Sequence, residues 1–263
     1  MLRIIVTPAG RERYLKILLK HLIKCKGEFD RWDIWLNTTD ESDIRYIESL
    51  QEQYDFICIK YPTVPVDGIN SIYNFFTDYI NLDEIYVRLD DDIVYIRQGS
   101  LTSLFDARIK DTSSFLLYGN IINNALITHL HQRTGNLDAS YGRSSYACMC
   151  PTGWKNSDFA EKLHRDFLSK LAQDHQFTLP DWQLYANERV SINVISWRGD
   201  EFLKFSGVVS KNEEQWLSVD KPRSLGTINR IIGDTLFVHY AFFPQRNHID
   251  TTDILSRYEA LAE

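Results

Sequence analysis

Cysteine is scarce in this chain, and its few cysteines do not form a recognisable framework. The 263 residues include four of them, Cys25, Cys58, Cys148 and Cys150. Small disulfide-rich domains need a dense set of cysteines, and zinc fingers need pairs with a characteristic spacing. The sequence therefore excludes both classes and favours reduced thiols in a cytoplasmic protein.

Long hydrophobic runs and an excess of positive charge are also absent. The apolar N-terminal stretch stops at Thr7 and Pro8, too early for a signal-peptide core, and no run approaches the roughly 18 apolar residues of a membrane span. The net charge of −7 disfavours a nucleic acid or an anionic membrane as the main partner. We expect no transmembrane segment and no nucleic-acid partner, so an anionic ligand must be met locally by a few Arg or Lys side chains or by a metal.

Strand-like and helix-like segments alternate through the first ninety residues. The pattern predicts strands at 2–7, 33–38, 56–61 and 84–89, with helices between them at 15–23, 42–53 and 69–80. Such alternation is typical of an α/β fold with a mainly parallel, Rossmann-like central sheet flanked by helices, which binds ligands beyond the carboxyl ends of its strands. Further strands are predicted at 115–122, 191–197 and 235–243, and a helix at 158–171. No linker or repeat divides the chain, so residues 1–263 are predicted to form one domain with an irregular second half.

Three consecutive carboxylates, Asp90, Asp91 and Asp92, follow the strand predicted at 84–89. Adjacent acids repel one another and lose hydration when buried, so a cation is expected to neutralise them. In an extended segment Asp90 and Asp92 would point the same way and could converge on one hard cation. The alternative is a solvated acidic turn after an edge strand.

The layout of the chain resembles the GT-A superfamily of glycosyltransferases. The resemblance rests on the Asp-x-Asp motif within segment 88–94, on segment 196–202, and on His239 within segment 237–246, the last two being similar to small bacterial and viral members. It implies a GT-A fold in which residues 1–98 bind a nucleotide-sugar and residues 99–263 form the acceptor side. The implied activity is metal-dependent transfer of a hexose, with a UDP-sugar as the favoured donor, to a glycan or another hydroxyl acceptor.

The same resemblance implies a ligand set for Mn²⁺ or Mg²⁺. Asp90 would face the metal and the ribose, Asp92 would ligate the metal, and His239 would complete the protein ligands. Carboxylate oxygens suit such hard cations. The alternative for His239 is a hydrogen-bonded histidine on a buried strand.

Donor contacts are predicted in the first loop and near the acidic triplet. Segment 7–11 resembles the first loop of GT-A enzymes, which contacts the base and the diphosphate of the donor. Gly10 permits close approach of the backbone, and Arg11 at a helix start can bind phosphate. A plain strand-to-helix turn is the alternative. The predicted donor-binding residues are Thr7, Pro8, Ala9, Gly10, Arg11, Asn37, Arg88, Asp90, Asp91, Gln245 and Arg246.

A general base is required if transfer inverts the anomeric carbon. Asp200 and Glu201, which follow the strand predicted at 191–197, are the first candidates. Asp181, Glu213 and Glu214 are the reserves, although a single acid is more often a solvated or capping residue. Four tryptophans could supply an aromatic acceptor platform or pack in the core; these are Trp154, Trp182, Trp197 and Trp216.

Two other functions compete with glycosyl transfer. Asp90-x-Asp92-x-Val94 also fits the aspartyl-nucleophile motif of haloacid-dehalogenase-like phosphatases, but that motif normally follows the first strand, and a later acidic pair is missing. A non-catalytic module that binds a sugar-nucleotide or a glycan is the second alternative. Donor hydrolysis and transfer separate such a module from an enzyme.

Overall fold

The computed structural model describes residues 1–185 and 187–263, and strands from both halves of the chain form one sheet. The strand order is β3-β2-β1-β4-β8-β6-β9-β5, and β7 pairs with β9. Within the described residues the strands are β1 (Leu2–Ala9), β2 (Arg31–Leu36), β3 (Ile57–Lys60), β4 (Glu84–Leu89), β5 (Ile93–Ile96), β6 (Leu117–Ile122), β7 (Trp182–Leu184), β8 (Val194–Arg198) and β9 (Asn229–His239).

Most strands run in one direction. The first four are mutually parallel, β8 is antiparallel to both β4 and β6, and β9 is parallel to β6. Only β5, β7 and β8 oppose the others among the described residues. The predicted α/β fold with a mainly parallel central sheet is therefore confirmed.

Helices cover the sheet and connect its strands. They are α1 (Glu12–Lys24), α2 (Glu41–Gln53), α3 (Ser100–Lys110), α4 (Ala125–Arg133), α5 (Ser157–Leu171), α6 (Gly199–Leu203), α7 (Glu213–Gln215), α8 (Lys221–Leu225), α9 (Phe243–Ile249) and α10 (Ile254–Ala262). Short 3₁₀ segments occur at Lys26–Glu28, Gly68–Asn70, Ile72–Asp78 and Ala139–Tyr141, and π-helical turns at Pro151–Lys155 and Trp216–Asp220. No helix in the described ranges combines the length and apolar character needed to cross a bilayer.

Buried apolar side chains explain why the central strands form. Every residue of β4 and β6 is buried, as expected for strands covered on both faces. Helix α1 buries Leu15, Leu18 and Leu22 in the main core. On another face of this helix, Tyr14 and Ile17 belong to a second core cluster with the C-terminal helix α10. The helix therefore ties the start of the chain to its end.

Two predicted elements differ from those in the structure, one in its helix type and the other in its boundaries. The helix expected at 69–80 is a pair of 3₁₀ segments, in which Ser71 Oγ donates to the Gly68 carbonyl and Asn74 Nδ2 donates to the Ser71 carbonyl, so side chains compete with an α-helical ladder. The last strand begins at Asn229 and ends at His239, not at 235–243. Pro244 lies in the first turn of α9, a position that suits proline.

One edge of the sheet collects the ends of strands from both halves. Strands β1, β2, β4, β6 and β9 all end there, and β8 begins there because it is antiparallel to β4. We call this the cleft edge, and we call the end of the sheet where β4 starts and β8 stops the opposite edge. Side chains that follow β1, β2, β4, β6 and β9 can therefore meet at the cleft edge.

Candidate functional site

The acidic triplet forms the turn that carries the chain across the cleft edge from β4 to β5. The Ile93 amide donates to the Asp90 carbonyl at 3.2 Å, which closes a tight turn. Asp90 and Asp92 therefore converge through a turn rather than through strand alternation, a correction to the predicted extended geometry. Because Ile93 pairs with His239, the end of this turn lies beside the end of β9.

Asp90, Asp92 and His239 come together at this point. Each offers one ligand atom, and these atoms lie within 4.8 Å of one another. His239 Nδ1 is 3.1 Å from the Asn123 carbonyl oxygen, so the protonated Nδ1 donates and Nε2 keeps its lone pair. Nε2 lies 3.5 Å from Asp92 Oδ1. A hydrogen bond from the far ring nitrogen is the usual way in which a protein orients a metal-binding histidine.

Positive side chains surround these acids. Arg11 and Arg246 approach Asp92 Oδ2 at 3.1 Å and 3.2 Å. Burial acts to raise the pKa of Asp92, but the nearby guanidinium groups of Arg11 and Arg246 help to outweigh it and hold that pKa below its ordinary value. Burial raises the pKa of Asp90, against the opposing effect of Arg88. Asp92 is therefore the better anion of the two.

The donor atoms fit a hard divalent cation. Two carboxylates and one neutral imidazole suit Mn²⁺ or Mg²⁺ better than a soft metal, which would favour thiolates. Asp90 is also held by neighbours, since Arg88 donates to Oδ1 and Asn193 Nδ2 donates to Oδ2, both at 3.0 Å. The ligand oxygens are thus positioned before any ion binds.

The middle acid has a different environment. Asp91 Oδ2 accepts hydrogen bonds from the Gly10 amide at 3.2 Å and from Arg11 Nε at 3.1 Å, and its Oδ1 also pairs with Arg11. This carboxylate fastens the loop after β1 to the acidic turn. Gly10 is needed there because a Cβ would lie 2.7 Å from Thr38 Cβ and 2.8 Å from the Asn37 carbonyl oxygen.

A cleft of about 720 Å³ opens above the acidic turn. The side that follows β1 and β2 contributes Pro8, Gly10, Arg11 and Asn37, and a smaller cavity of about 220 Å³ adjoins it at Asp92 and His239. The predicted donor-binding residues that line the cleft are Pro8, Gly10, Arg11, Asn37, Arg88, Asp90, Asp91 and Arg246.

Three of the predicted donor-binding residues do not line the cleft; these are Thr7, Ala9 and Gln245. Thr7 and Ala9 are buried within strand β1, which continues to Ala9. Thr7 Oγ1 accepts a hydrogen bond from Trp32 Nε1 at 2.9 Å, and Ala9 is fully buried. Gln245 is also fully buried and donates from Nε2 to the Gly153 carbonyl. The positions of these three residues therefore do not support the donor contacts predicted for them.

Asp200 and Glu201 lie at the opposite edge of the sheet. Val194 pairs with Leu89 beside the acidic turn, whereas Arg198 pairs with Ile85 at the start of β4, about 13 Å along the strand. Helix α6 begins only there, and Asp200 accepts two hydrogen bonds from Arg198 at 3.0 Å and 2.9 Å. Neither acid lines the cleft, so the position of this pair does not support the catalytic role predicted for it.

The reserve candidates divide between the two edges. Asp181 accepts hydrogen bonds from Arg230 and from the Gly233 amide, and it lines a cavity separate from the cleft. Glu213 and Glu214 line the cleft. Arg88 donates to Glu213 Oε1 at 3.2 Å, and burial raises the pKa of Glu213. Glu213 Oε2 has no hydrogen-bond donor among the described residues.

Several cleft residues were missed by the sequence predictions. Asn193 was assigned to a strand interior, although it precedes β8 and its backbone carbonyl accepts from the Asp90 amide. Asn123, whose carbonyl oxygen accepts from His239 Nδ1, directly follows the strand predicted at 115–122, and that position is the signal by which it could have been found. Arg189, Lys211 and Phe243 also line the cleft. Arg189 and Lys211 lie in irregular segments without a periodic pattern, whereas Phe243 was predicted to end the strand at 235–243 and instead begins α9.

Among the four tryptophans, Trp154 lines the cleft. Trp197 is fully buried and stacks on Tyr86, with ring centroids 5.3 Å apart. Trp182 packs against Tyr146, and Trp216 packs against Phe205. The predicted aromatic platform therefore reduces to Trp154.

No protein-family model and no curated protein matches this chain, but solved structures share its fold. Mannosyltransferase PcManGT from Pyrobaculum calidifontis, solved with GDP-Man and Mn²⁺, aligns with a TM-score of 0.51 and 12% identity over 99% of this chain and 63% of that chain. GalNAc-T7, solved with UDP, GalNAc and Mn²⁺, aligns with a TM-score of 0.55 and 9% identity over 92% of this chain and 44% of that chain.

A third similar structure is CMP:2-keto-3-deoxy-manno-octonic acid synthetase complexed with CTP. It aligns with a TM-score of 0.50 and 11% identity over 98% of this chain and 100% of that chain. All three proteins were solved with a nucleotide or a nucleotide-sugar. At such low identity the likeness concerns the fold, and it confirms the predicted GT-A-type, Rossmann-like architecture.

Proposed function

We propose that this protein is a metal-dependent glycosyltransferase that moves a hexose from a nucleotide-sugar to a hydroxyl acceptor. The observation that carries the proposal is the convergence of Asp90, Asp92 and His239, with ligand atoms within 4.8 Å of one another, beside a cleft that could hold a nucleotide-sugar. The fold is one that also occurs in proteins solved with GDP-Man or UDP and Mn²⁺.

In this proposal Asp90, Asp92 and His239 hold Mn²⁺ or Mg²⁺. A divalent cation at this position would offset the negative charge that develops on a departing nucleoside diphosphate. Arg11 and Arg246 flank the same acids, and their guanidinium groups can donate to phosphate oxygens. Both arginines also line the cleft, so they are the proposed diphosphate contacts.

Asn37 is the proposed contact for the nucleoside. It follows β2 at the cleft edge, and its Oδ1 has no hydrogen-bond donor among the described residues. An acceptor atom without a partner suits a base amide or a ribose hydroxyl. Pro8 and Gly10 lie on the same side of the cleft. A UDP-sugar is the donor proposed first.

Glu213 is the proposed general base if transfer inverts the anomeric carbon. Its Oε1 accepts a hydrogen bond from Arg88, which leaves Oε2 to accept a proton, and burial raises the pKa of Glu213, the direction that a general base at neutral pH requires. Glu214 is less suitable because its Oε1 already accepts hydrogen bonds from Arg189 Nε at 2.7 Å and from the Cys148 thiol at 3.2 Å. We also propose a cytoplasmic location for this protein, because its few scattered cysteines favour reduced thiols.

Nucleotidyl transfer is the second candidate, because the synthetase solved with CTP aligns along its whole length. The two reactions give different products. Glycosyl transfer or donor hydrolysis releases a nucleoside diphosphate when the donor is a UDP- or GDP-sugar, whereas nucleotidyl transfer from a nucleoside triphosphate releases pyrophosphate. A non-catalytic module would bind the donor and release neither.

The test measures thermal stabilisation by UDP-, GDP-, CMP- and dTDP-sugars with and without Mn²⁺, followed by nucleotide release. A ligand at a hundred times its Kd stabilises the fold by about 2.7 kcal/mol, which for this chain length raises Tm by roughly 5–10 °C. Asp92→Asn should lose the Mn²⁺-dependent shift, and Asp200→Asn should keep it. Stabilisation that is independent of Mn²⁺, or equal in the two variants, would reject the proposed site.

A further inference from the structure

A group of apolar side chains is exposed on the acceptor side of the cleft. Phe243 is 84% exposed, Met149 is 52% exposed, and Trp154 is half-buried. All three line the cleft. Single exposed apolar residues are common, but two aromatic side chains grouped at a polar ligand cleft are typical of a binding surface. We call Trp154 and Phe243 the aromatic shelf.

The shelf is anchored to the predicted metal ligands. Trp154 belongs to the π-helical turn Pro151–Lys155, and Phe243 begins helix α9. Gln245 connects these elements, because its Nε2 donates to the Gly153 carbonyl and its Oε1 accepts from Asn123 Nδ2. Asn123 is also the residue whose carbonyl orients His239. These hydrogen bonds therefore fix the backbone segments that carry the shelf relative to the site where the donor is proposed to bind.

The aromatic shelf also lies close to the predicted reaction centre. Phe242 is the intermediate contact, with its ring centroid 6.5 Å from that of Trp154 and 4.6 Å from that of His239. A molecule lying on the shelf would thus be next to the metal ligands. Glu214, Arg189 and Lys211 line the same cleft and offer hydrogen-bonding groups around the apolar surface.

We infer that the acceptor is a saccharide, which lies with the C–H face of one ring against Trp154 and Phe243. This inference rests on the proposed glycosyl transfer. A sugar ring has an apolar face and a rim of hydroxyls, and the shelf with its charged neighbours matches both. An aliphatic lipid chain would need a continuous apolar channel, whereas the rest of the cleft is lined by charged groups such as Arg88, Asp90 and Glu213.

The experiment measures binding of simple glycosides by saturation-transfer difference NMR. The probes are the methyl glycosides of glucose, galactose, mannose and N-acetylglucosamine, with octyl glucoside as the aliphatic probe. Each is titrated into protein that holds Mn²⁺ and the free nucleotide (UDP, GDP, CMP or dTDP) of the nucleotide-sugar that stabilises the protein most in the donor screen. The variants are Phe243→Ala and Phe243→Tyr, with Val208→Ala as a control for an exposed apolar residue outside the cleft.

At least one methyl glycoside should bind with saturation of its ring protons. Phe243→Ala should weaken that binding roughly 3–10-fold, the range of a single aromatic contact, while Phe243→Tyr and Val208→Ala keep it. Unchanged affinity in Phe243→Ala, binding of octyl glucoside through its chain alone, or no glycoside binding would overturn the inference. If no nucleotide-sugar stabilises the wild-type protein in a Mn²⁺-dependent way, the proposed function would be overturned instead.

Discussion

The second half of the chain contains two pairs of adjacent carboxylic acids, Asp200–Glu201 and Glu213–Glu214, whose surroundings differ. Asp200 and Glu201 follow β8 at the opposite edge, and Asp200 is 32% exposed and paired with Arg198. Glu213 is 14% exposed and is linked through Arg88 to Asp90. Position along the strand direction therefore decides which pair can act on a ligand. Sequence spacing alone favoured the wrong edge.

The largest expected effect is on turnover in Glu213→Gln. An amide at this position keeps the shape of the side chain but cannot accept a proton, so an inverting reaction should slow by roughly 10²–10⁴-fold. The matched change Glu201→Gln at the opposite edge should leave turnover near the wild-type value. Steady-state kinetics with saturating donor measure both. A large loss in Glu201→Gln with normal turnover in Glu213→Gln would reverse the comparison.

A smaller effect is expected on donor affinity in Arg246→Ala. Loss of one charge-assisted hydrogen bond to phosphate costs about 1.5–3 kcal/mol, which weakens binding roughly 10–100-fold. Arg198→Ala removes an arginine of the opposite edge that pairs with Asp200, and donor affinity should not change there. Calorimetric titration with the donor and Mn²⁺ distinguishes the two variants. Equal affinities would remove Arg246 from the proposed diphosphate site.

The buried histidine His131 differs from His239 at the cleft edge, and this difference predicts a dependence of stability on pH. His131 is enclosed by Asn120 and Asn136, and burial lowers its pKa to about 3, whereas His239 keeps Nε2 available. Between pH 6.5 and about 3, His131 is protonated in the unfolded chain but neutral in the folded chain. The free energy of unfolding therefore decreases as the pH falls through this range. His131→Gln should reduce this slope by up to roughly 1.4 kcal/mol per pH unit. Denaturant unfolding between pH 7 and 4.5 measures it, and an unchanged slope would contradict the assignment.

The smallest expected effect is a loss of stability in Gly199→Ala. A Cβ at Gly199, the first residue of α6, would overlap the carbonyl of Asn81 before β4. Such crowding typically costs about 1–3 kcal/mol, or a fall in Tm of roughly 2–10 °C. Mn²⁺ affinity should be unchanged, since the opposite edge does not contact the cleft. A selective loss of metal binding at full stability would show that the two edges are coupled.

Much of the fold could be predicted from local pattern. Alternating apolar segments predicted the parallel strands, and the triplet at 90–92 predicted a charged strand end. The partner of each strand could not be predicted, because β8 joins β4 by pairing across about a hundred residues. That unknown direction is why Asp200 and Glu201 were placed at the wrong edge. Thr7 and Gln245 were misplaced because their burial depends on distant neighbours, Trp32 and Asn123.

The most direct test of the account is the affinity for Mn²⁺ alone, measured by electron paramagnetic resonance in the wild type, Asp92→Asn and Asp200→Asn. Asp92 is a proposed ligand at the cleft edge, and Asp200 is an acid of the opposite edge. The account predicts that Asp200→Asn binds Mn²⁺ as the wild type does and that Asp92→Asn binds it roughly 100-fold more weakly. Wild-type affinity in Asp92→Asn would contradict the proposed metal site.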